Sequence, residues 1–205
     1  MVRRQGARLA RKPVVVAISG SPSPASATAE LADHVLGLLA PAVAIGGHIR
    51  LRELDPAALM SGRTDDAGLA AAMRDVEAAD GLVIATPIYK AAYSGLLKAF
   101  LDAMPQFGLA GRTVLPLATG GSLAHVLALD YALRPVLQSM GARHIVQATF
   151  VAAGQMRRDG ATFGLDPAAA ELLDEAVLHF AHAVAGASPQ TLFGHPRPAR
   201  REAAE

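Results

Sequence analysis

The chain has 205 residues, 52% of them hydrophobic and 18% charged, which suits one domain with a sizeable core. Its net charge of +1 supplies no global field for nucleic acid or a membrane surface, so a small molecule or a protein is the expected partner. The absence of cysteine excludes a disulfide framework, a thiolate metal site and thiol catalysis, and aromatics at 4% with no Trp require an aliphatic core.

Residues 1–12 carry five of the 19 Lys and Arg residues, Arg3, Arg4, Arg8, Arg11 and Lys12, and are expected to form a flexible basic arm. Arg11 and Lys12 interrupt the start before a signal-peptide core could form, and no apolar run approaches the length of a membrane span, so a cytoplasmic protein is expected. Residues 13–18 (Pro-Val-Val-Val-Ala-Ile) are apolar and largely β-branched, as a strand buried on both faces should be. A hydroxyl-rich loop follows, and Leu31, Val35, Leu38 and Leu39 then recur at helical spacing. Helix N-termini present unpaired N–H groups, and Ser21, Ser23, Ser26 and Thr28 add neutral donors, an arrangement suited to a phosphate monoester. The same hydroxyls are equally explained as helix caps. Neither G-x-G-x-x-G nor G-x-x-x-x-G-K-[ST] is present, which argues against a dinucleotide loop or a P-loop.

A second strand is expected over residues 46–51, loop composition over 55–66, and a helix marked by Leu69, Met73 and Val76. The third strand, residues 81–85, runs through Thr86-Pro87 into an aromatic and cationic loop, Ile88-Tyr89-Lys90-Ala91-Ala92-Tyr93, and a helix restarts at Ser94. Residues 113–118 read as a fourth strand in which Pro116, lacking an N–H, marks a place where pairing should end. Thr119-Gly120-Gly121-Ser122 is a third loop at a strand end, residues 123–140 a helix that Pro135 should kink or split, and 145–151 a fifth strand. A last helix containing Leu172, Leu173, Val177 and Phe180 is announced by Asp166-Pro167, and residues 187–205 read as a loosely ordered tail. Residues 13–186 thus form the expected domain, a doubly wound five-stranded parallel sheet of order 2-1-3-4-5. In that order the loops after the first, third and fourth strands meet in one crevice.

On three segments, residues 85–95 (Ala-Thr-Pro-Ile-Tyr-Lys-Ala-Ala-Tyr-Ser-Gly), 115–125 (Leu-Pro-Leu-Ala-Thr-Gly-Gly-Ser-Leu-Ala-His) and 130–137 (Asp-Tyr-Ala-Leu-Arg-Pro-Val-Leu), the chain resembles the NADPH-dependent FMN reductases of the flavodoxin-like superfamily. The branch it resembles supplies reduced FMN to alkanesulfonate monooxygenases in sulfonate sulfur assimilation. The family's phosphate loop reads Gly-Ser-x-Arg-x-x-Ser, whereas this chain has Ser23 where the Arg would stand, so one cationic contact is lost. The resemblance implies that Ser21, Ser26, Ala27 and Thr28 hold the FMN phosphate. It further implies that Pro87, Ile88, Tyr89, Lys90 and Ser94 line the ring and ribityl chain, and that Thr119, Gly120, Gly121 and Ser122 close the other edge. Hydride would pass from nicotinamide C4 to flavin N5, with NADPH, or else NADH, as donor and with no general acid or base required of the protein. Backbone N–H groups of residues 88–90 and 119–122 would stabilise charge growing on the flavin's pyrimidine edge.

The resemblance also implies a π-bulge at Asp130-Tyr131 and a homo-oligomer, a tetramer of paired dimers or a dimer, with Tyr131 at the interface; the apolar Val126, Leu127, Leu129, Leu133, Val136 and Leu137 leave that helix in need of more cover than its own sheet. His125 either reaches the flavin edge or packs, and packing is preferred. His179 and His182 lack a carboxylate partner, so no metal is expected. The alternatives are a reductase that retains FMN and acts on quinones, azo dyes or metal oxyanions, and a non-enzymatic flavodoxin-type electron carrier.

Overall fold

A computed structural model of the chain describes residues 11–159 and 162–187. The basic arm up to residue 10 and the tail from residue 188 lie outside the described residues. The last two residues assigned to the arm are tied to the body: Arg11 pairs with Asp80 at 2.9 Å and Lys12 donates to the Pro41 carbonyl at 3.1 Å.

The frame is a flavodoxin-like, doubly wound sheet. Strand β1 (Val14–Ser19) lies between β2 (Ala44–Arg50) and β3 (Gly81–Tyr89), with β5 (Thr113–Gly120) beyond β3, all parallel. The expected count of five is corrected to seven. A two-residue strand, β4 (Ala92–Tyr93), folds back on β3 as a hairpin, and the expected fifth strand is two pieces, β6 (His144–Ile145) and β7 (Thr149–Ala152), both parallel to β5. Proline is the cause of the split. Along a parallel strand alternate residues bond to opposite neighbours, and the Val114 carbonyl accepts from Val146 N at 3.0 Å, so Pro116 faces the same neighbour without an N–H to offer. Pairing to that neighbour stops after Val114 and resumes at Leu117, while pairing to β3 continues through Pro116.

Each face of the sheet carries its own core because side chains alternate along the strands. Val16, Ile18, Leu82 and Ile84 meet helices α3 (Ala67–Ala78) and α4 (Gly95–Ala103), with Phe100 fully buried. Val15, Ala17, Val83 and Ala85 meet α1 (Ala27–Leu39) and α6 (Pro167–Gly186), with Phe180 fully buried.

One further expectation is corrected, one gains detail and one element is new. The stretch assigned to loop contains α2 (Pro56–Ser61), with Asp55 accepting from Ala58 N, Pro56 in the first turn and Gly62 left-handed at its end. The helix expected over 123–140, kinked or split by Pro135 and with a π-bulge at Asp130-Tyr131, is a 3-10 turn (Leu123–His125), a π turn (Leu129–Leu133) that holds both of those residues, and α5 (Arg134–Ser139), with Pro135 in its first turn. Within the π turn Arg134 N bonds back to the Leu129 carbonyl, and Pro135 follows where an α-helical donor would otherwise be needed. A hairpin of β8 (Met156–Asp159) and β9 (Thr162–Leu165) lies apart from the main sheet and was not legible in the sequence; Arg158 pins it to Glu30 of α1 at 2.7 Å.

Candidate active site

Gly20 leaves β1 at the carboxyl edge of the sheet, where its N–H bonds to the Ala85 carbonyl at 2.9 Å. A Cβ there would lie 2.8 Å from both Leu97 Cβ and Ser94 Oγ, so only glycine lets this loop close on the start of α4. Ser94 completes that junction: its hydroxyl donates to the Gly20 carbonyl at 2.6 Å and accepts from Leu97 N at 3.1 Å, while its N–H bonds to Thr86 Oγ1 at 2.9 Å. A second link joins the first turn of α1 to the end of β5, where Thr28 Oγ1 and Thr119 Oγ1 are 2.6 Å apart and buried. The three stretches singled out from the sequence therefore meet at one edge.

The hydroxyls of those stretches divide by what they already hold. Ser26 is the N-cap of α1, accepting from Ala29 N at 3.1 Å, and Ser94 is the N-cap of α4, so both perform the capping role that competed with ligand binding in the sequence. Ser122 accepts from Ala124 N at 3.2 Å. Ser21, 4% exposed, accepts from Ser23 N at 3.3 Å, and its own hydrogen has no acceptor among the described residues. The first-turn N–H groups of Ala27 and Thr28 likewise have no partner among the described residues. His125 Nδ1 is enclosed without a hydrogen bond among the described residues. The start of α1 thus combines a buried hydroxyl, Ser21, with first-turn N–H groups left over among the described residues.

The stretch after β3 differs from its expected form. Pro87, Ile88 and Tyr89 belong to β3 itself, and the loop is only Lys90 and Ala91, at φ 50° and 62°. Two left-handed residues between antiparallel strands make the turn that Asn-Gly usually supplies. Here a Lys and an Ala carry it, at a cost of about 1 kcal/mol each. Strain of this kind collects at ligand clamps. Pro87 and Ile88 are buried, and Tyr89 and Lys90 stand exposed at the rim. Gly121 and Ser122 are exposed as well. Tyr131 lies in the π turn, 78% exposed, with Leu123, Val126 and Leu127 also exposed, whereas Leu129, Leu133 and Leu137 of the same stretch are in the core.

Sequence reasoning missed a polar cluster beside the loop. His48 Nδ1 is 2.7 Å from Asp33 Oδ1 and its Nε2 is 2.8 Å from Ser19 Oγ. A carboxylate only accepts, so Nδ1 carries the hydrogen and Nε2 accepts from the Ser19 hydroxyl. Burial is the main influence on His48 and pushes its pKa below the ordinary value, against the opposing pull of Asp33. Arg50 also binds Asp33, through two bonds of 2.8 and 3.1 Å. Two residues on, Arg52 donates from Nη1 to the Ser23 carbonyl at 3.2 Å. The signal available in the sequence was the Arg50-x-Arg52 pair at the end of the second strand, which the 2-1-3 order sets next to the hydroxyl loop.

Among the described residues no helix is long and apolar enough to cross a membrane. Residues 13–157 match the family described as NADPH-dependent FMN reductase. The FMN reductase (NADPH) of Escherichia coli K12 is 42% identical over 136 residues, covering 66% of this chain and 71% of that protein. The NADH-dependent FMN reductase SfnE of Pseudomonas putida is 36% identical over 146 residues, covering 69% and 78%. A solved structure of an NADH:FMN oxidoreductase (EMOB) in its apo form superposes with a TM-score of 0.82 at 50% identity, covering 91% of this chain and 97% of that one.

Proposed function

The chain belongs to the NADPH-dependent FMN reductase family, an oxidoreductase family that reduces FMN with a nicotinamide nucleotide, and we propose that it does so in the crevice bounded by residues 20–28, 86–94 and 119–122. Membership in an enzyme family removes the electron-carrier alternative. The observation that carries the placement is the division of polar atoms. Thr28 with Thr119 and Ser94 with Gly20 fasten the loops together, while Ser21 O–H and the Ala27 and Thr28 N–H groups remain unspent. Neutral donors converging at a helix start, within reach of a positive dipole end, fit the phosphate of FMN.

FMN, when bound, supplies the two-electron acceptor itself. The protein's share is positional. The α1 start holds the phosphate through Ser21, Ala27 and Thr28, with Ser26 and Ser94 acting by fixing helix starts. Pro87 and Ile88 give the ring a rigid apolar wall, and Tyr89 and Lys90, held on a strained two-residue turn, border its open side. Of the N–H groups of residues 88–90 and 119–122, those of Ile88 and Thr119 are spent in the ladder between β3 and β5. Those of Lys90, Gly121 and Ser122, past the strand ends, would offer fixed dipoles to charge that grows on reduction.

The remaining parts of this reading rest on the family resemblance and on an exposed surface. Reduced FMN leaves for a flavin-dependent monooxygenase of the alkanesulfonate type, in the cytoplasm, and the chain works as a homo-oligomer, a tetramer of paired dimers. Leu123, Val126, Leu127 and Tyr131 are exposed, and Leu123 and Val126 line a hollow of about 270 Å³ with Phe150 and Leu172, a surface suited to a second copy. Sedimentation as a monomer at micromolar concentration overturns the assembly. A Tyr131 deletion that leaves flavin retention and transfer to a monooxygenase unchanged removes Tyr131 from it.

The decisive experiment is steady-state oxidation of NADPH and of NADH with FMN, FAD and riboflavin as acceptors. Oxidation by either nucleotide with FMN ahead of riboflavin is expected. Equal rates with riboflavin overturn the phosphate assignment, and the absence of turnover overturns the activity. Passage through a desalting column then separates a released flavin from a retained one, the property that distinguishes this reading from a quinone, azo or metal-oxyanion reductase.

A further inference from the structure

The loop between β1 and α1 contains no charged residue, yet the group proposed to sit on it is a phosphate monoester carrying about −1.5 to −2 charges near neutrality. Hydroxyls and helix N–H groups solvate such a group without neutralising it. A cation should stand close by, and the fold brings one in from a different element. The 3-10 turn Leu51–Glu53 follows β2, which pairs with β1 along its whole length, so that turn emerges beside the loop.

Two arginines leave this corner, and their partners distinguish them. Arg50 is committed to Asp33 through two short bonds, its charge matched by that carboxylate. Arg52 makes one 3.2 Å bond to the Ser23 carbonyl and a long 3.5 Å approach to Glu53 Oε1. A guanidinium has five N–H donors, so most of those on Arg52 are unspent among the described residues, and its side chain is only 23% exposed. The paired carboxylate, by contrast, is mostly in water, so its long contact offsets only part of the Arg52 charge.

We infer that Arg52 is the cationic determinant of flavin choice, reaching across from the turn after β2 to the phosphate bound on the loop after β1. It holds the Ser23 carbonyl with one nitrogen and presents the rest of its planar fork to the phosphate oxygens. Arginine suits this geometry better than lysine because its donors diverge in a fixed plane. Glu53 tempers the charge. The inference rests on the placement of the FMN phosphate at the start of α1.

The test is a fluorescence-quenching titration of the full chain with FMN and with riboflavin at two salt concentrations. The wild-type chain is titrated first: if it binds FMN no better than riboflavin, the phosphate placement itself falls and this inference with it. Given a wild-type preference, Arg52→Ala should raise the FMN dissociation constant about tenfold, leave riboflavin within about twofold, and flatten the salt dependence of FMN binding. An equal loss for both flavins would show that Arg52 only braces the Ser23 carbonyl, and no loss for either would remove it from the site. Glu53→Gln, which leaves the loop bond intact, should move the other way and tighten FMN about two- to threefold without changing riboflavin. An unchanged FMN-to-riboflavin ratio in Glu53→Gln overturns the inference even if Arg52→Ala fails to fold.

Discussion

The two ends of the sheet use the same chemistry to opposite effect. At the amino end, where β1, β3 and β5 begin, Arg112 is 4% exposed and donates to the carbonyls of Val76, Glu77 and Ala110 at 2.7 to 3.0 Å. Asp80 accepts from Val14 N at 2.8 Å, while its backbone joins the Val14 carbonyl to Thr113 N. At the carboxyl end Arg52 makes a single 3.2 Å bond to a carbonyl, and donors at the start of α1 are left over. A closed network stabilises the fold, and an open one is available to a ligand. The difference lies in how fully the polar atoms are satisfied, since both ends hold an arginine, backbone carbonyls and strand termini.

The strongest way to break that comparison is at the closed end. Arg112→Ala leaves three carbonyls without their buried donor and should lower unfolding stability by about 3 kcal/mol or more. Measured by urea denaturation, that loss should come with FMN affinity unchanged wherever the variant is folded. A matching loss of flavin affinity would mean that the two ends are not separable.

Within the carboxyl end, spent and unspent hydroxyls should separate in the same manner. Ser26→Ala removes a helix cap and should cost about 1 kcal/mol of stability. Ser21→Ala should change stability much less and raise the dissociation constant for FMN several-fold while sparing riboflavin. Thermal melts beside flavin titrations check both, and a reversed pattern would exchange the two roles.

The His48 cluster is the closed patch at the open end, and pH tests it. Its folded pKa lies below the ordinary 6.5 because burial disfavours the imidazolium, so between those values the unfolded chain binds more protons than the folded one. The stability it contributes is therefore complete above about pH 6.5 and is lost as pH falls through the lower, folded value. Denaturation midpoints followed from pH 7 downward should decline, and His48→Gln should remove part of that slope. An identical slope in the variant would assign it to other groups.

The smallest effect is expected at the strained turn. Ala91→Gly trades a left-handed alanine for a residue at ease there, offset by a more flexible unfolded chain, and should stabilise by about 0.5 kcal/mol. If the strain helps to hold Tyr89 and Lys90 at the rim, turnover with FMN should fall as stability rises. A gain in both would show that the strain has no role in the site.

Much of this was legible in the residues. Buried runs such as Val14-Val15-Val16 and Leu82-Val83-Ile84 declare strands because a parallel strand is apolar on both faces. Ser94 and Asp166-Pro167 declare helix starts, since capping is a local bond over three residues. Pro116 declared the break in pairing that became the gap between β6 and β7. Short elements escaped: α2 is six residues, too few to show an apolar period, and the Lys90-Ala91 turn lacks the glycine that would mark a hairpin. What the sequence alone determined was the order of the long parallel strands with their main helices, and the family, because these follow from local pattern and motif. Tertiary structure decided which hydroxyls are spent, that Thr28 meets Thr119, that Ser94 holds the Gly20 carbonyl, and that Arg52 reaches Ser23. Those bonds join residues far apart in the chain, and a hydrogen bond at 3 Å exists only once packing has brought its two ends together.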